Sequence, residues 1–242
     1  MIPALLISGV PELNTIFWVY TLIKIALQVA ALLLYAQAFK MADVSLALPM
    51  LTLTPLVTAG TSLILSGEFP STLGLIGIIV IVVGLYMLKA EREKGVFAPF
   101  KAIVSDPRVR SMLFVALIYG LSTSIDKEGV LNSSPIAYSA ITTIGAAAVL
   151  SFFLIGRGKE LKEAFRPKNL KALLPAGLFD GMLVIGQMTA VSLTLAAYVI
   201  SIKRTSIVIS SVLAYFIFGE KLKGRIVPIL VMLGGLLLII FS

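Results

Sequence analysis

The segment Ala196–Glu220 is apolar along most of its length and long enough to cross a bilayer, yet two adjacent cations lie inside it. Lys203 and Arg204 are about seven or eight residues from its start, or roughly 11 Å deep at 1.5 Å per residue. A cation in hydrocarbon costs roughly 2.5–3.5 kcal/mol on insertion scales, and adjacent helical side chains point about 100° apart. A chain with this segment must therefore supply the pair with a pocket, a water path or a ligand.

Composition places the chain among polytopic helical membrane proteins. Apolar residues make up 59% of it and charged residues only 13%, whereas soluble domains have about 45–50% and about 25%. Cysteine and histidine are absent, which argues against a disulfide framework, a thiolate metal site and the commonest catalytic base. We therefore expect no enzyme activity, metal or cofactor. The net charge of +8 lies in short loops, which favours a lipid bilayer rather than nucleic acid as the partner.

Eight segments have the length and apolarity of a membrane span, for which about 17–25 residues are needed. They are A (Thr15–Ala38), B (Val44–Leu65), C (Thr72–Leu88), D (Ser111–Ile125), E (Pro135–Ile155), F (Ala172–Thr194), G (Ala196–Phe218) and H (Ile226–Phe241). All are predicted to be helices, because an open strand edge in lipid would leave backbone groups without hydrogen bonds. The boundary between F and G, near Thr194, has the weakest signal.

Basic residues alternate between the loops and set the expected orientation. Most of them lie between C and D, between E and F, and between G and H, and Lys40 follows A. The B–C and F–G turns contain no Lys or Arg, and the D–E turn contains only Lys127. By the positive-inside rule the basic loops are cytoplasmic. The sequence thus predicts a multi-pass protein of the cell (cytoplasmic) membrane with both termini outside.

An internal repeat relates segments B and C to segments G and H. Gly67-Glu68 ends B and Gly219-Glu220 ends G, and a short apolar helix with Gly84 or Gly235 at a matching place follows each. The two Gly-Glu pairs fall on opposite sides of the membrane, so the repeats are inverted. Inverted repeats are typical of transporters, whose binding sites lie near the midplane and use discontinuous helices.

The candidate substrate-binding residues follow from the intramembrane charges. Arg204 would hold an anionic group with its planar fork and Lys203 as a point charge, with Tyr198 and Ser206 nearby. The alternative is that the cations snorkel outward or pair with an acid. Lys24, near the middle of segment A, and Asp180, the acid inside F, are further candidates for the site. The alternative is that these two residues pair with each other.

The charges inside the spans predict the sign of the substrate. The net charge inside the spans is about +2, from three cations (Lys24, Lys203 and Arg204) and one acid (Asp180). This net charge favours an anionic or phosphorylated solute. Asp126, Lys127 and Glu128 are interpreted as interface charges that compensate one another. Other polar residues of the spans are expected mainly in interhelical hydrogen bonds, and the glycines of C in close helix packing. Pro49 and Pro55 could kink or break B.

Three stretches of the sequence carry a family resemblance: DVSLALPMLTLTPLVT (Asp43–Thr58), LILSGEFPSTLGLIGIIVIVVGLYML (Leu63–Leu88) and YVISIKRTSIVISSVLAYFIFGEKL (Tyr198–Leu222). They resemble the drug/metabolite transporter superfamily, in its EamA-like branch. The resemblance implies ten helices in two inverted five-helix repeats that carry small metabolites by alternating access. The stretch IKRTSIVISS is also similar to plastid phosphate-translocator members, where such a Lys-Arg pair binds the substrate phosphate.

The chain departs from that pattern at its start, where a third helix is expected. Residues 1–90 would form the last three helices of the first repeat, 91–110 a basic cytoplasmic loop, and 111–242 the full second repeat. A misassigned gene start, a truncated form and an eight-helix variant that dimerises are the alternatives. The expected function is secondary transport of a small polar, anionic or phosphorylated metabolite. The alternative function is a non-transporting membrane subunit that needs a partner to complete the bundle.

Overall fold

The computed structural model describes residues 13–41, 48–89, 98–153, 166–218 and 225–242, and every regular element within them is helical. The elements are α1 (Thr15–Met41), a 3₁₀ helix (Leu48–Leu53), α2 (Thr54–Ser66), α3 (Thr72–Lys89), α4 (Ala98–Ser105), α5 (Pro107–Leu131), α6 (Pro135–Phe153), α7 (Pro167–Leu193), α8 (Ala196–Arg204), α9 (Ser206–Phe218) and α10 (Ile226–Ile240). The predicted all-α class is confirmed. Gly219-Glu220 and the basic residues in 90–97, 154–165 and 219–224 lie outside the described residues.

Within the described residues, five helical stretches are long and apolar enough to cross a membrane. They are Thr15–Ala38, Pro49–Ser66, Val109–Leu131, Pro135–Phe153 and Lys168–Leu193, and two shorter apolar helices cover Thr72–Leu88 and Ile226–Ile240. Large apolar side chains such as Leu22, Phe114 and Phe179 are exposed on several of them. Such surfaces suit lipid rather than water, and the chain is a multi-pass helical membrane protein.

The helix boundaries differ from the predicted segments in several places. Segment D extends into its flanks, as short spans are expected to do, and forms α5; segment F begins earlier, at Pro167, and α4 lies in the predicted loop between C and D. Segment G is two helices, α8 and α9, separated at Thr205, and in the described part of segment B the 3₁₀ helix precedes α2. The weak F–G boundary is confirmed, since α7 ends at Leu193 and α8 begins at Ala196.

The chain forms two compact units, and the first combines Met1–Val29 with Ile125–Leu193. Its core contains Phe17 of α1, Val130 of α5, Tyr138 of α6 and Met188 of α7. The Phe17 and Tyr138 rings meet edge to face with centroids 6.1 Å apart. Aromatic contacts of this geometry add about 0.5–1.5 kcal/mol beyond area burial, so this unit has its own packed centre.

The second unit combines Ala30–Ser124 with Thr194–Ser242. One cluster in it joins α3 and α10 with α2, α8 and α9, and includes Ile78, Ile81, Ala197 and Met232. Another joins the end of α1 and the 3₁₀ helix to α5. The pairs α3–α10 and α2–α8 pack directly against each other.

Helices α3 and α10 are antiparallel and meet through glycines. A Cβ on Gly77 would lie 2.8 Å from the Gly235 carbonyl oxygen, and one on Gly235 would lie 2.7 Å from that of Gly77. Further along, a Cβ on Gly84 would lie 3.0 Å from the Pro228 carbonyl oxygen. When Gly84 is matched with Gly235, Gly77 falls opposite Pro228, in a register one residue from that of the two Gly-Glu pairs. The predicted packing role of these glycines is confirmed.

A comparison of helix lengths adds α1 and α7 to the internal repeat. Helices α1 and α7 are both 27 residues long, and α2 and α9 are both 13. Aligning Gly67-Glu68 with Gly219-Glu220 places the first residues of α1 and α7 opposite each other. The same alignment places Thr54 opposite Ser206, so both repeats interrupt a helix at one register. The division of the chain into repeats around residues 91–110 stays a prediction.

Candidate functional site

Arg204 lies at the end of α8, where the helical hydrogen bonding is interrupted. The Thr205 N–H and hydroxyl both donate to the Ile202 carbonyl, at 2.9 and 2.7 Å, and the Val208 N–H donates to the Thr205 carbonyl at 2.8 Å. These bonds to the third preceding residue tighten the chain into a turn. The interruption ends α8 at a cation, which the negative end of the helix dipole favours.

The Arg204 guanidinium contacts the other interrupted helix of the second unit. Its Nη2 donates to the Thr54 hydroxyl oxygen at 3.2 Å, and that hydroxyl donates to the Leu51 carbonyl at 2.7 Å. Thr54 is almost fully buried and is the first residue of α2. Arg204 thus joins the end of α8 to the junction between the 3₁₀ helix and α2.

Two tyrosines complete the surroundings of Arg204. The phenol groups of Tyr35 and Tyr119 are close enough to interact electrostatically with the guanidinium. Both rings pack against the cluster that contains Met50 and Leu51 of the 3₁₀ helix. The candidate site therefore consists of Arg204, Thr54, Tyr35 and Tyr119, contributed by α8, α2, α1 and α5.

The guanidinium has spare hydrogen-bonding capacity. Its Nε is buried and has no hydrogen-bond partner, and no carboxylate among the described residues pairs with Arg204. A buried donor without an acceptor costs about 1–3 kcal/mol, and more when it is charged. The positive end of the α2 dipole also lies at Thr54. This arrangement can accept an oxyanion, for which an arginine fork is well shaped.

The other residues predicted for the site lie in different surroundings. Lys203 and Ser206 flank the interruption with exposed side chains. Tyr198 is six residues before Arg204, roughly 9 Å along α8, and its hydroxyl accepts a hydrogen bond from the Ser242 hydroxyl at 3.0 Å. The ring of Tyr198 also lies against Gly74 of α3. The participation of these three residues in substrate binding stays a prediction.

Lys24 pairs with Asp126, not with Asp180. The Lys24 Nζ lies 2.7 Å from the Asp126 Oδ2, and the Tyr138 hydroxyl donates to the Asp126 Oδ1 at 3.3 Å. The pairing with Asp180, the alternative expected from the sequence, is thus corrected. Asp180 lies on α7 in the first unit, where its side chain is exposed, and a binding role for it stays a prediction.

Asp126 is also not the interface charge that the sequence suggested. Its side chain is 1% exposed and it compensates Lys24, a residue on another helix, rather than only its chain neighbours. Asp126 and the adjacent Lys127, which is also buried, both join the charges inside the spans, so together they leave the expected positive excess unchanged. The described residues contain no group of three or more acidic, Cys or His side chains that could hold a metal ion.

Thr54, Tyr35 and Tyr119 were not singled out from the sequence, where they appeared only among many neutral polar residues. Two signals pointed toward Thr54: the flanking Pro49 and Pro55, which favour a helix break, and its register opposite Ser206 in the repeat. No local signal marks Tyr35 or Tyr119, because only the packing of α1 and α5 brings them toward Arg204.

A comparison with protein families agrees with this architecture. The model of the EamA-like transporter family matches residues 1–89 and 109–241. The chain belongs to the EamA-like transporter family. It is therefore a membrane transporter of the drug/metabolite type. No curated protein is similar enough to the chain to be compared with it.

Proposed function

We propose that this EamA-like chain carries a small organic anion, carboxylated or phosphorylated, across the cytoplasmic membrane by alternating access. Arg204 is the primary anion-binding residue. The observation that carries the proposal is the buried Arg204 Nε, which has no acceptor while no described carboxylate neutralises the guanidinium. An anionic group would supply both the missing acceptor and the missing charge.

The surroundings of Arg204 support an anion that binds and leaves. The Thr54 hydroxyl holds one nitrogen of the fork, which leaves the Nε edge for a ligand oxygen. Tyr35 and Tyr119 can donate phenolic hydrogens to further oxygens. Both helix interruptions, at Thr54 and at Thr205, give local points at which α2 and α9 can change direction. Such interruptions at a binding site are what alternating access uses.

The charge pattern supports an orientation with the basic loops in the cytoplasm. Lys101 and Arg110 lie near the start of α5, and Arg166 and Lys168 lie near the start of α7, all with exposed side chains. Under the positive-inside rule, both loops face the cytoplasm and both termini lie outside.

The binding experiment measures thermal stabilisation of the purified protein by inorganic phosphate and by a panel of carboxylated and phosphorylated metabolites. We expect at least one of these anions to stabilise the parent protein, because a ligand that binds only the folded state shifts unfolding by mass action. Arg204→Gln should weaken binding by about 100-fold, and Arg204→Lys by at least tenfold, since a hydrogen bond to a charged group contributes about 1.5–3 kcal/mol.

Arg110→Gln is the matched control, because it removes the same charge from an exposed position on α5. It should bind the anion like the parent protein. Equal stabilisation of the parent and the Arg204→Gln variant by every anion of the panel would contradict the assignment of Arg204.

A second candidate function is that of a membrane subunit that acts with another chain. The observation that favours it is Asp180, an acid exposed within α7, in a stretch of which only 11% is buried. A lone carboxylate facing lipid is costly. Anion exchange by vesicles that contain only this chain would exclude this candidate.

A further inference from the structure

Lys24, Asp126 and Tyr138 form a cluster of titratable groups separate from the Arg204 site. Asp126 receives one donor on each oxygen: the Lys24 ammonium at 2.7 Å on Oδ2 and the Tyr138 hydroxyl at 3.3 Å on Oδ1. Tyr138 is fully buried, Asp126 is 1% exposed and Lys24 is 12% exposed. Lys24, Asp126 and Tyr138 come from α1, α5 and α6 of the first unit, respectively.

A buried ion pair is a weak way to hold helices together. The desolvation of two charges can exceed their attraction, and apolar residues of similar volume often stabilise as well or better. Charged groups inside membrane spans are rare and frequently belong to proton relays. The cluster can also exist in two charge states, because Asp126 can bind a proton while Lys24 keeps its own.

Charged and hydrogen-bonding groups on three helices lie near Asp126. Lys24 faces it from α1 and Tyr138 from α6, while the buried Lys127 and the half-buried Glu128 follow it on α5. The Lys24 ammonium and the Tyr138 hydroxyl both donate to the carboxylate and favour its ionised form. Burial of the carboxylate favours the protonated form.

We propose that Asp126 is a proton-binding site whose occupancy is coupled to transport, an inference that rests on the proposed anion transport. A proton from water on one side binds a carboxylate oxygen, and the Lys24–Asp126 ion pair becomes a contact between an ammonium and a neutral acid. The proton later leaves to the water on the other side, so no further reactant is needed. Each proton carried with the substrate offsets one negative charge of the anion.

Lys24 is the most exposed member of the cluster. Its side chain is the only one of the three with appreciable exposure. Protonation of Asp126 leaves the Lys24 charge without its compensating carboxylate, which is costly inside a span. The ammonium is then drawn toward water, and α1 loses its ionic link to α5. The two charge states thus favour two arrangements of these helices.

Proton binding is tested without any substrate, by infrared difference spectroscopy of the purified protein between mildly acidic and mildly alkaline pH. The parent protein should show a carbonyl band of a protonated carboxylic acid that Asp126→Asn lacks. Asp126→Glu, which keeps a carboxyl group, and Glu128→Gln, the matched control on the same helix, should both keep the band. A parent spectrum without such a band, or an identical spectrum for Asp126→Asn, would overturn the proposal.

Coupling is tested in proteoliposomes with radiolabelled inorganic phosphate and an enclosed pH-sensitive dye. Asp126→Asn should lower proton uptake and gradient-driven accumulation at least tenfold more than it lowers phosphate exchange. Equal loss of exchange and accumulation, together with a lower unfolding temperature, would instead show a structural ion pair. If the parent protein shows the infrared band but exchanges no anion, the proposed anion transport fails and the proton site remains.

Discussion

At the scale of single residues, Arg204 and Lys203 are adjacent in sequence but differ in their surroundings. Arg204 is partly buried, donates to Thr54 and has an Nε without an acceptor, whereas the Lys203 side chain is exposed. Adjacent residues on a helix point about 100° apart, so a single pocket is not expected to enclose both equally. Arg204 is therefore the better candidate for direct anion binding.

The sequence could indicate that the Lys-Arg pair is functional, but it could not identify what surrounds the pair. An intramembrane charge is visible from hydropathy alone. Thr54 is 150 residues away along the chain, and its contact with Arg204 depends on tertiary packing. Asp126 was interpreted wrongly from the sequence. Its neighbours Lys127 and Glu128 suggested that its charge is compensated locally, but it pairs with Lys24 on another helix.

Thr54 is predicted to position the Arg204 fork. Thr54→Val keeps the shape of the side chain but removes the hydroxyl that accepts from Nη2. We expect anion affinity to fall about tenfold, in line with the loss of one hydrogen bond to a charged group. Thr54→Ser keeps the hydroxyl and should bind within about twofold of the parent protein. Both are measured by titration of the anion that stabilises the parent, and equal affinities for Val and Ser would contradict this role.

At the scale of helices, the two interruptions share one register of the internal repeat. Thr54 and Ser206 begin helices of equal length, and each follows a tight turn. Pro49 and Pro55 explain the first interruption, because proline cannot donate to the helical ladder. The second contains neither proline nor glycine, so the sequence predicted one continuous segment G. At the second interruption the Thr205 N–H and hydroxyl both bond to the Ile202 carbonyl.

For the polar residues inside the helices, the sequence could predict that hydrogen bonds form between helices but not which side chains form them. Ser124 of α5 lies 2.7 Å from the Thr61 hydroxyl and 2.9 Å from that of Ser62, both on α2. The hydroxyls of Thr52 and Thr58 instead donate to carbonyls of their own helical segments. The expected interhelical hydrogen bonds thus exist, but which hydroxyls form them depends on how α2 faces α5.

The close contact of α3 and α10 predicts a sharp difference between neighbouring glycines. Gly77→Ala or Gly235→Ala would place a Cβ less than 3 Å from a backbone oxygen of the other helix. Backbone cannot move aside as a flexible side chain can, so we expect a loss of about 1–3 kcal/mol of unfolding free energy. Gly234→Ala meets no atom within 4 Å and should be neutral or slightly stabilising.

Denaturant unfolding of the purified variants in the same detergent measures these differences. If Gly234→Ala destabilises as much as Gly235→Ala, helix contact is not the cause. If Gly77→Ala and Gly235→Ala both unfold like the parent protein, α3 and α10 do not approach as closely as described.

At the scale of the whole molecule, the all-helical membrane class was predictable because hydropathy and length suffice to identify spans. The family match over residues 1–89 and 109–241 confirms the resemblance to the EamA-like branch. The similarity of the Lys-Arg stretch to plastid phosphate-translocator members stays a prediction. The residues that surround Arg204 were not predictable in the same way. They come from three other helices, α1, α2 and α5, and their convergence on Arg204 depends on packing that no local pattern encodes.

The most direct test of the central claim is anion exchange by proteoliposomes that contain only this chain. Vesicles loaded with the anion that stabilises the parent protein should take up the radiolabelled anion from outside. The Arg204→Gln variant should exchange at least 100-fold more slowly, while Arg110→Gln should match the parent rate. Exchange by the Arg204→Gln variant at the parent rate, or no exchange by the parent protein for any anion of the panel, would contradict an anion transporter built around Arg204.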